Sequence, residues 1–143
     1  MAFTTHVGMN RAGRFGNIRL AGAEGVSLAT ASNTAATMPV EATEYIIRRI
    51  TVSNPGNSAG GTVPSMAAAN ITMVTSSDGN TSNAVANAQT IGNITAAHTW
   101  QDLTLATATA TTSYTAGALY VITNNTTANS TIKVDVYCDV VMI

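Results

Sequence analysis

Residues 132–142 read Ile-Lys-Val-Asp-Val-Tyr-Cys-Asp-Val-Val-Met. Large apolar or sulfur-containing side chains recur at every second position: Ile132, Val134, Val136, Cys138, Val140 and Met142. The positions between them carry Lys133, Asp135, Tyr137 and Asp139. Successive side chains of a β-strand point to opposite faces of the sheet, so this alternation predicts a strand with one face in a core and one polar face.

A second strand is predicted over residues 45–53 (YIIRRITVS), which are rich in β-branched side chains. Its alternation changes phase in the middle: Tyr45 and Ile47 share one parity, whereas Ile50 and Val52 share the other. A β-bulge at Arg48-Arg49 would turn all four inward, because one extra residue reverses the alternation. The alternative is a strand that is covered on both faces.

Further short strand patterns alternate with turn sequences along the chain. Strands are predicted at 26–30, 71–75, 100–109 and 118–123, with turns at 54–61, 78–79 and 124–129. The alanine-rich runs are too short and too interrupted to form stable helices. The pattern predicts an all-β protein: a single jelly-roll-like β-sandwich over residues 21–143, preceded by an extended N-terminal arm over residues 1–20.

The N-terminal arm (residues 1–20) combines arginines, phenylalanines and glycines without a strand or helix period. Arginine and aromatic residues are enriched at protein interfaces. The composition of the arm therefore predicts either a segment that lies on another protein or a solvated tail. The residues expected to make such a contact are Phe3, Arg11, Arg14, Phe15 and Arg19.

Charge is scarce in this chain, with Asp, Glu, Lys and Arg making up 9% of the 143 residues. Average soluble domains carry about 25%. A net charge of −1 gives little self-repulsion and favours association, and it offers no basic field for a nucleic-acid backbone. No run approaches the roughly 18 apolar residues of a membrane span, and the first residues lack the pattern of a signal peptide.

Few side chains are suited to catalysis. His6 and His98 are the only histidines, and the single cysteine, Cys138, has the parity of the apolar face of its strand. A zinc site needs three or four ligands at workable spacings, which the sequence does not offer. Asp135 and Asp139 lie four residues apart on one strand, roughly 13 Å, too far for a glycosidase pair. We therefore expect no enzyme activity, no cofactor and no metal.

Arg48 and Arg49 are the charged pair of greatest interest within the predicted sandwich. One interpretation is that they are solvated charges at a sheet edge. The other is that they form salt bridges between subunits, with Glu41, Glu44 or a carboxylate of another protein.

The run from Tyr45 to Asn54, the glycine-rich loop after it and the strand that ends at 75–79 (TSSDG) resemble the capsid decoration, or cement, proteins of tailed bacteriophages. Residues 119–121 (LYV) and 134–137 (VDVY) extend the resemblance to most of residues 45–143. It implies a jelly-roll body, a homotrimer on the outer capsid surface and the major capsid protein as partner. It further implies a virion protein made in the host cytoplasm, with the N-terminal arm as the capsid-binding segment.

Two other functions remain open. The first is a carbohydrate-binding head of a phage fibre, in which aromatic side chains form a sugar platform. The candidates for that platform are Trp100, Tyr45, Tyr114, Tyr120 and Tyr137. The second is a structural subunit of the head–tail junction or of the tail.

Overall fold

The computed structural model describes residues 18–28, 31–54, 69–94, 98–106, 109, 111–125 and 133–143, with backbone only at 18–20, 33–34 and 124–125. Its regular elements in these ranges are strands and one short 3-10 helix, Thr81–Asn83. The strands are β1 (Ile18–Ser27), β2 (Ser32–Pro39), β3 (Tyr45–Ser53), β4 (Asn70–Val74), β5 (Ala84–Thr90), β6 (Trp100–Asp102), β7 (Ser113–Tyr114), β8 (Ala118–Asn125) and β9 (Lys133–Met142).

The strands form two antiparallel sheets. Sheet A has the order β1-β9-β3-β6, and β7 also pairs with β3; sheet B has the order β2-β8-β4-β5. β6 pairs with one end of β3 and β7 with the other, so together they serve as one interrupted strand. With β6 and β7 counted as one, each sheet has four strands and the chain changes sheet at every connection except β4–β5. This is the strand order of a jelly roll, and the predicted all-β sandwich is confirmed.

The core lies between the two sheets and takes large side chains from both. Ile47 and Ile50 of sheet A and Met73 and Val121 of sheet B have no exposed surface. The alternation predicted for the last strand is confirmed at the positions described, because these four side chains are buried in the same core: Val134, Val136, Cys138 and Val140.

The phase change in β3 is a β-bulge. Ile47 pairs with Val140 and Arg49 pairs with Asp139, which leaves Arg48 as the extra residue. The bulge prediction is therefore confirmed, and Tyr45, Ile47, Ile50 and Val52 all have no exposed surface, whereas both arginines are exposed. The alternative of a strand covered on both faces is wrong.

Other bulges break the pairing in each sheet. In β1, Glu24 and Gly25 lie opposite Asp135, and Gly25 has a φ of 68° that favours glycine. The Gly25 amide donates to Asp135 Oδ1 at 2.8 Å. In β5, Ala88 has a φ of 45°, and its amide donates to the buried Thr72 hydroxyl at 2.8 Å.

The structure also corrects several predicted boundaries. β1 begins at Ile18, so the last three residues of the predicted N-terminal arm belong to the sandwich. β2 and β5, which the sequence pattern did not predict, are short of large apolar side chains. The strand predicted at 100–109 ends at Asp102, because the Ala106 amide donates to Val85 O in sheet B at 2.8 Å and draws the chain across the sandwich edge.

Candidate interaction surface on the outer face of sheet A

The outer face of sheet A is the face turned away from the core, and it gathers many of the charged side chains of the described residues. β9 presents Asp135, Tyr137 and Asp139 there, opposite the buried positions of the same strand. β3 adds both arginines through its bulge, and β6 adds Asp102 opposite Thr51. This face is the candidate site because it exposes Arg48, Arg49 and Asp102, whose side chains are not part of the core.

Arg49 is held by an ion pair within the chain. Its Nη2 lies 2.8 Å and its Nε 3.0 Å from Asp139 Oδ2. The inter-subunit salt bridge predicted for Arg49 stays a prediction; within the chain, its carboxylate partner is Asp139 on the adjacent strand. β3 pairs with β9 on one side, but on the other side β7 pairs with residues 45–46 and β6 with residues 51–53, so both arginines lie at the interruption between β6 and β7.

Arg48 differs from its neighbour. Its side chain is exposed, and no carboxylate of the described residues forms a salt bridge with it. It lines a groove of about 460 Å³ together with Ile46, Asp139 and Val141. The wall of this groove is mainly apolar, so the positive charge of Arg48 stands beside a surface that would bind a hydrophobic group.

The middle of the face is a network of polar contacts. Thr51 Oγ1 donates to Asp102 Oδ1 at 2.6 Å. Tyr137 OH donates to Asp135 Oδ2 at 3.3 Å, and burial together with the Asp135 charge raises the pKa of Tyr137 to about 12. These hydrogen bonds occupy the carboxylates of Asp102 and Asp135.

Trp100 lies at one corner of the face. It pairs with Ser53 at the end of β3, and 68% of its surface is exposed, which is unusual for a large aromatic side chain. His98, two residues earlier, has a φ of 62°, an uncommon conformation for a residue other than glycine. The His98 amide donates to Asn54 O at 2.8 Å, and this bond secures the turn that carries Trp100.

Most of the residues predicted to form the capsid-binding arm lie outside the part of the chain that the structure describes. Phe3, Arg11, Arg14 and Phe15 lie outside the described residues. Arg19 is part of β1, where it pairs with Val140, so it belongs to the sandwich and its assignment to the arm is corrected.

The predicted aromatic platform does not form as a single surface. Tyr45 is fully buried, its hydroxyl donates to Ala116 O at 2.7 Å, and its ring centroid lies 6.2 Å from that of Tyr114. Tyr120 is in β8 of the other sheet. Only Trp100 and Tyr137 remain on a common face.

Within the described part of the chain, no three His, Cys, Asp or Glu side chains are grouped to hold a metal ion. The thiol of Cys138 is buried, and burial raises its pKa, so the thiol keeps its proton at neutral pH. His6 lies outside the described residues, and His98 is exposed. No helix among these residues is long and apolar enough to cross a membrane.

Comparison with known proteins gives no relative: no family model, no curated protein and no solved structure matches this chain.

The groove was not predicted from sequence, although one signal for it exists. Val141 follows Val140 directly and breaks the alternation of β9, so an apolar side chain falls on the polar face. Ile46 does the same between Tyr45 and Ile47 in β3. Because the bulge brings the two strands into register there, Ile46 pairs with Val141.

Proposed function

We propose that this protein is a structural virion protein that decorates and stabilises the outer surface of a phage capsid. It binds the major capsid protein as a small oligomer, a homotrimer. The proposal rests on the outer face of sheet A, where an apolar groove, an arginine without a salt bridge among the described residues and an exposed tryptophan share one open surface. Tryptophan and arginine are the residue types that most often dominate protein–protein binding energy.

The fold supports the proposal by analogy. Jelly rolls occur in viral capsid proteins, and they also occur in lectins and cupins, so the fold does not decide between these functions. The low charge of the chain adds support, because a surface with little net charge tolerates close packing in a lattice.

The test combines sedimentation with binding to purified expanded capsids of the phage that carries the gene. We expect a trimer that co-sediments with capsids and raises their resistance to heat. A stable monomer without capsid affinity would refute the proposal. A six-fold ring in electron micrographs would favour a tail or head–tail subunit instead.

Single substitutions locate the contact. Trp100→Ala should lower capsid affinity at least tenfold while the free energy of unfolding stays unchanged, since the side chain is exposed. Ile143→Ala is the matched control, because Ile143 is the other large apolar side chain exposed among the described residues, at 63%. Equal effects of the two substitutions would show that Trp100 is not a specific contact.

The predicted arm is tested separately from the sheet. Replacing Arg11 and Arg14 together by Ala should weaken capsid binding without changing the stability of the sandwich, because both precede Ile18, the first residue of β1. Unchanged capsid affinity would remove both arginines from the proposed contact.

A carbohydrate-binding head is the second candidate, and one observation favours it. Trp100 and Tyr137 lie on the same face, two strands and two residues apart, roughly 10 Å across and 7 Å along the sheet. Asp102 is exposed on the same strand as Trp100, and it lies in the same row as Thr51 and Tyr137. A glycan array without hits, and tryptophan fluorescence unchanged by added host surface polysaccharide, would exclude this function.

A further inference from the structure

We propose that Gln101 is a positioning residue for Trp100. Its side chain joins the short strand β6 to the edge of sheet B, and this link holds Trp100 at a fixed place on the outer face of sheet A. The part that Gln101 plays in capsid binding rests on the proposed function, whereas its hold on β6 is a property of the isolated protein.

β6 has few contacts that hold it in the sandwich. It is three residues long, it lies at the edge of sheet A, and none of its side chains is buried. A strand with few buried apolar contacts opens easily. The residue of β6 that faces the core is Gln101, since it pairs with the buried Val52. A polar side chain therefore stands where an apolar one would anchor the strand.

The Gln101 amide replaces that anchor with two hydrogen bonds to the backbone of the opposite sheet and its following turn. Its Nε2 donates to Thr90 O at 2.7 Å, and its Oε1 accepts from the Asn93 amide at 3.2 Å. Thr90 is the last residue of β5, in sheet B. The turn after β5 is held by the core, because Ile91 and Ile94 have no exposed surface. Gln101 thus joins β6 to a fixed part of the molecule.

This link determines how Trp100 is presented. Trp100 and Gln101 are neighbours in a strand, so their side chains point to opposite faces, and the bonds on the core side leave the indole on the outer face. A tryptophan that is held in place before binding loses less conformational entropy when a partner covers it. Removing the link should therefore weaken binding through Trp100 while the indole itself stays intact.

Gln89 provides a matched control, because it joins β5 to the chain just after β6. Its Oε1 accepts from the Thr104 amide at 3.3 Å, and its Nε2 donates to Asn87 O at 2.8 Å. Gln89→Met and Gln101→Met each replace an amide by an apolar side chain of similar length. Urea unfolding measures the stability that each variant loses.

The first measurement is NMR relaxation of the Trp100 backbone amide in the isolated chain. We expect an order parameter of about 0.85 in the wild-type chain and in Gln89→Met, and a value below about 0.6 in Gln101→Met. Gln101→Asn should behave like Gln101→Met, because its shorter side chain keeps the amide but does not reach Thr90 O. An unchanged order parameter in both Gln101 variants would overturn the inference, whether or not the protein binds capsids.

The second measurement is capsid affinity in a double-mutant cycle. Gln101→Met should lower the affinity roughly three- to tenfold, the range expected when one side chain is no longer ordered before binding. In the Trp100→Ala background the same substitution should have no further effect, because Gln101 acts through Trp100. Equal losses in both backgrounds would overturn the positioning role. If the wild-type chain does not bind capsids, the proposed function fails, and the relaxation measurement still decides whether Gln101 positions Trp100.

Discussion

Arg49 and Asp139 form an ion pair from β3 to β9, with 2.8 Å between Nη2 and Oδ2, at the point where the bulge interrupts the pairing of these strands. The pair is possible because Arg48 is the extra residue. Arg48 has no residue opposite it in β9. The next residue, Arg49, is therefore the one that pairs with Asp139 on the outer face. The bulge thus keeps the apolar side chains of β3 in the core, and it places Arg49 in an ion pair while Arg48 has no salt bridge among the described residues.

The first prediction concerns this ion pair. Arg49→Ala should lower the free energy of unfolding by less than about 1 kcal/mol, because the two side chains are 59% and 30% exposed and water screens their attraction. Urea unfolding of Arg49→Ala, Asp139→Ala and the double variant measures the coupling. A coupling energy well above that value would mean that the pair is more protected from solvent than its exposure indicates.

The second prediction concerns the bulge. Deleting Arg48 should give a chain that still folds, with a loss of roughly 1–2 kcal/mol, because regular alternation then keeps Ile47, Ile50 and Val52 inward. Deleting Thr51 is the control: it moves Val52 outward and Ser53 into the core. Circular dichroism and urea unfolding compare the two deletions. Equal losses would contradict the assignment of Arg48 as the extra residue.

The third prediction concerns Ala88, whose φ of 45° is strained for a residue with a Cβ atom. Ala88→Gly should raise the free energy of unfolding by roughly 0.5–1 kcal/mol, since relief of the strain exceeds the added entropy of the unfolded chain. Ala84→Gly in the same strand should be destabilising, because Ala84 has an ordinary φ of −71°. Thermal unfolding of both variants checks the opposite signs.

The fourth prediction concerns alkaline pH. Burial, with smaller effects of Cys138 and Tyr114, raises the pKa of Tyr45 from 10.0 to about 12. The folded state therefore holds the Tyr45 proton where the unfolded chain has lost it. The resulting contribution to the free energy of unfolding is fully present below pH 10 and is lost as pH rises towards 12.

Tyr45→Phe removes the ionisation of Tyr45 and leaves the other titratable groups of the chain in place. Urea unfolding of the wild-type chain should show a steeper loss of stability between pH 9 and pH 12 than that of the variant, by roughly 2 kcal/mol. At pH 7 the variant loses the hydrogen bond to Ala116 O, which costs about 1 kcal/mol. Parallel curves for the two proteins across the alkaline range would refute the raised pKa.

Much of the fold was predictable where one residue type repeats at a fixed period. The buried face of β9 follows from alternation alone, whereas the parity of Tyr45, Ile47, Ile50 and Val52 left two alternatives for β3, of which the structure shows the bulge. β2 and β5 were not predictable in this way, because alanine, threonine and asparagine alternate without a clear apolar face. Their pairing depends on the strands beside them.

The sequence by itself determined an all-β sandwich and the inward face of its last strand, because these depend on the order of apolar side chains along one strand, and it left the bulge at Arg48-Arg49 as one of two alternatives. Only the tertiary structure decided that Asp139 is the partner of Arg49 and that Ile46 and Val141 meet at a groove. Both depend on register between strands about ninety residues apart, and local sequence carries no record of which distant residue will lie opposite. The tertiary structure likewise buried Tyr45 and left Trp100 exposed, although both are aromatic residues in predicted strands.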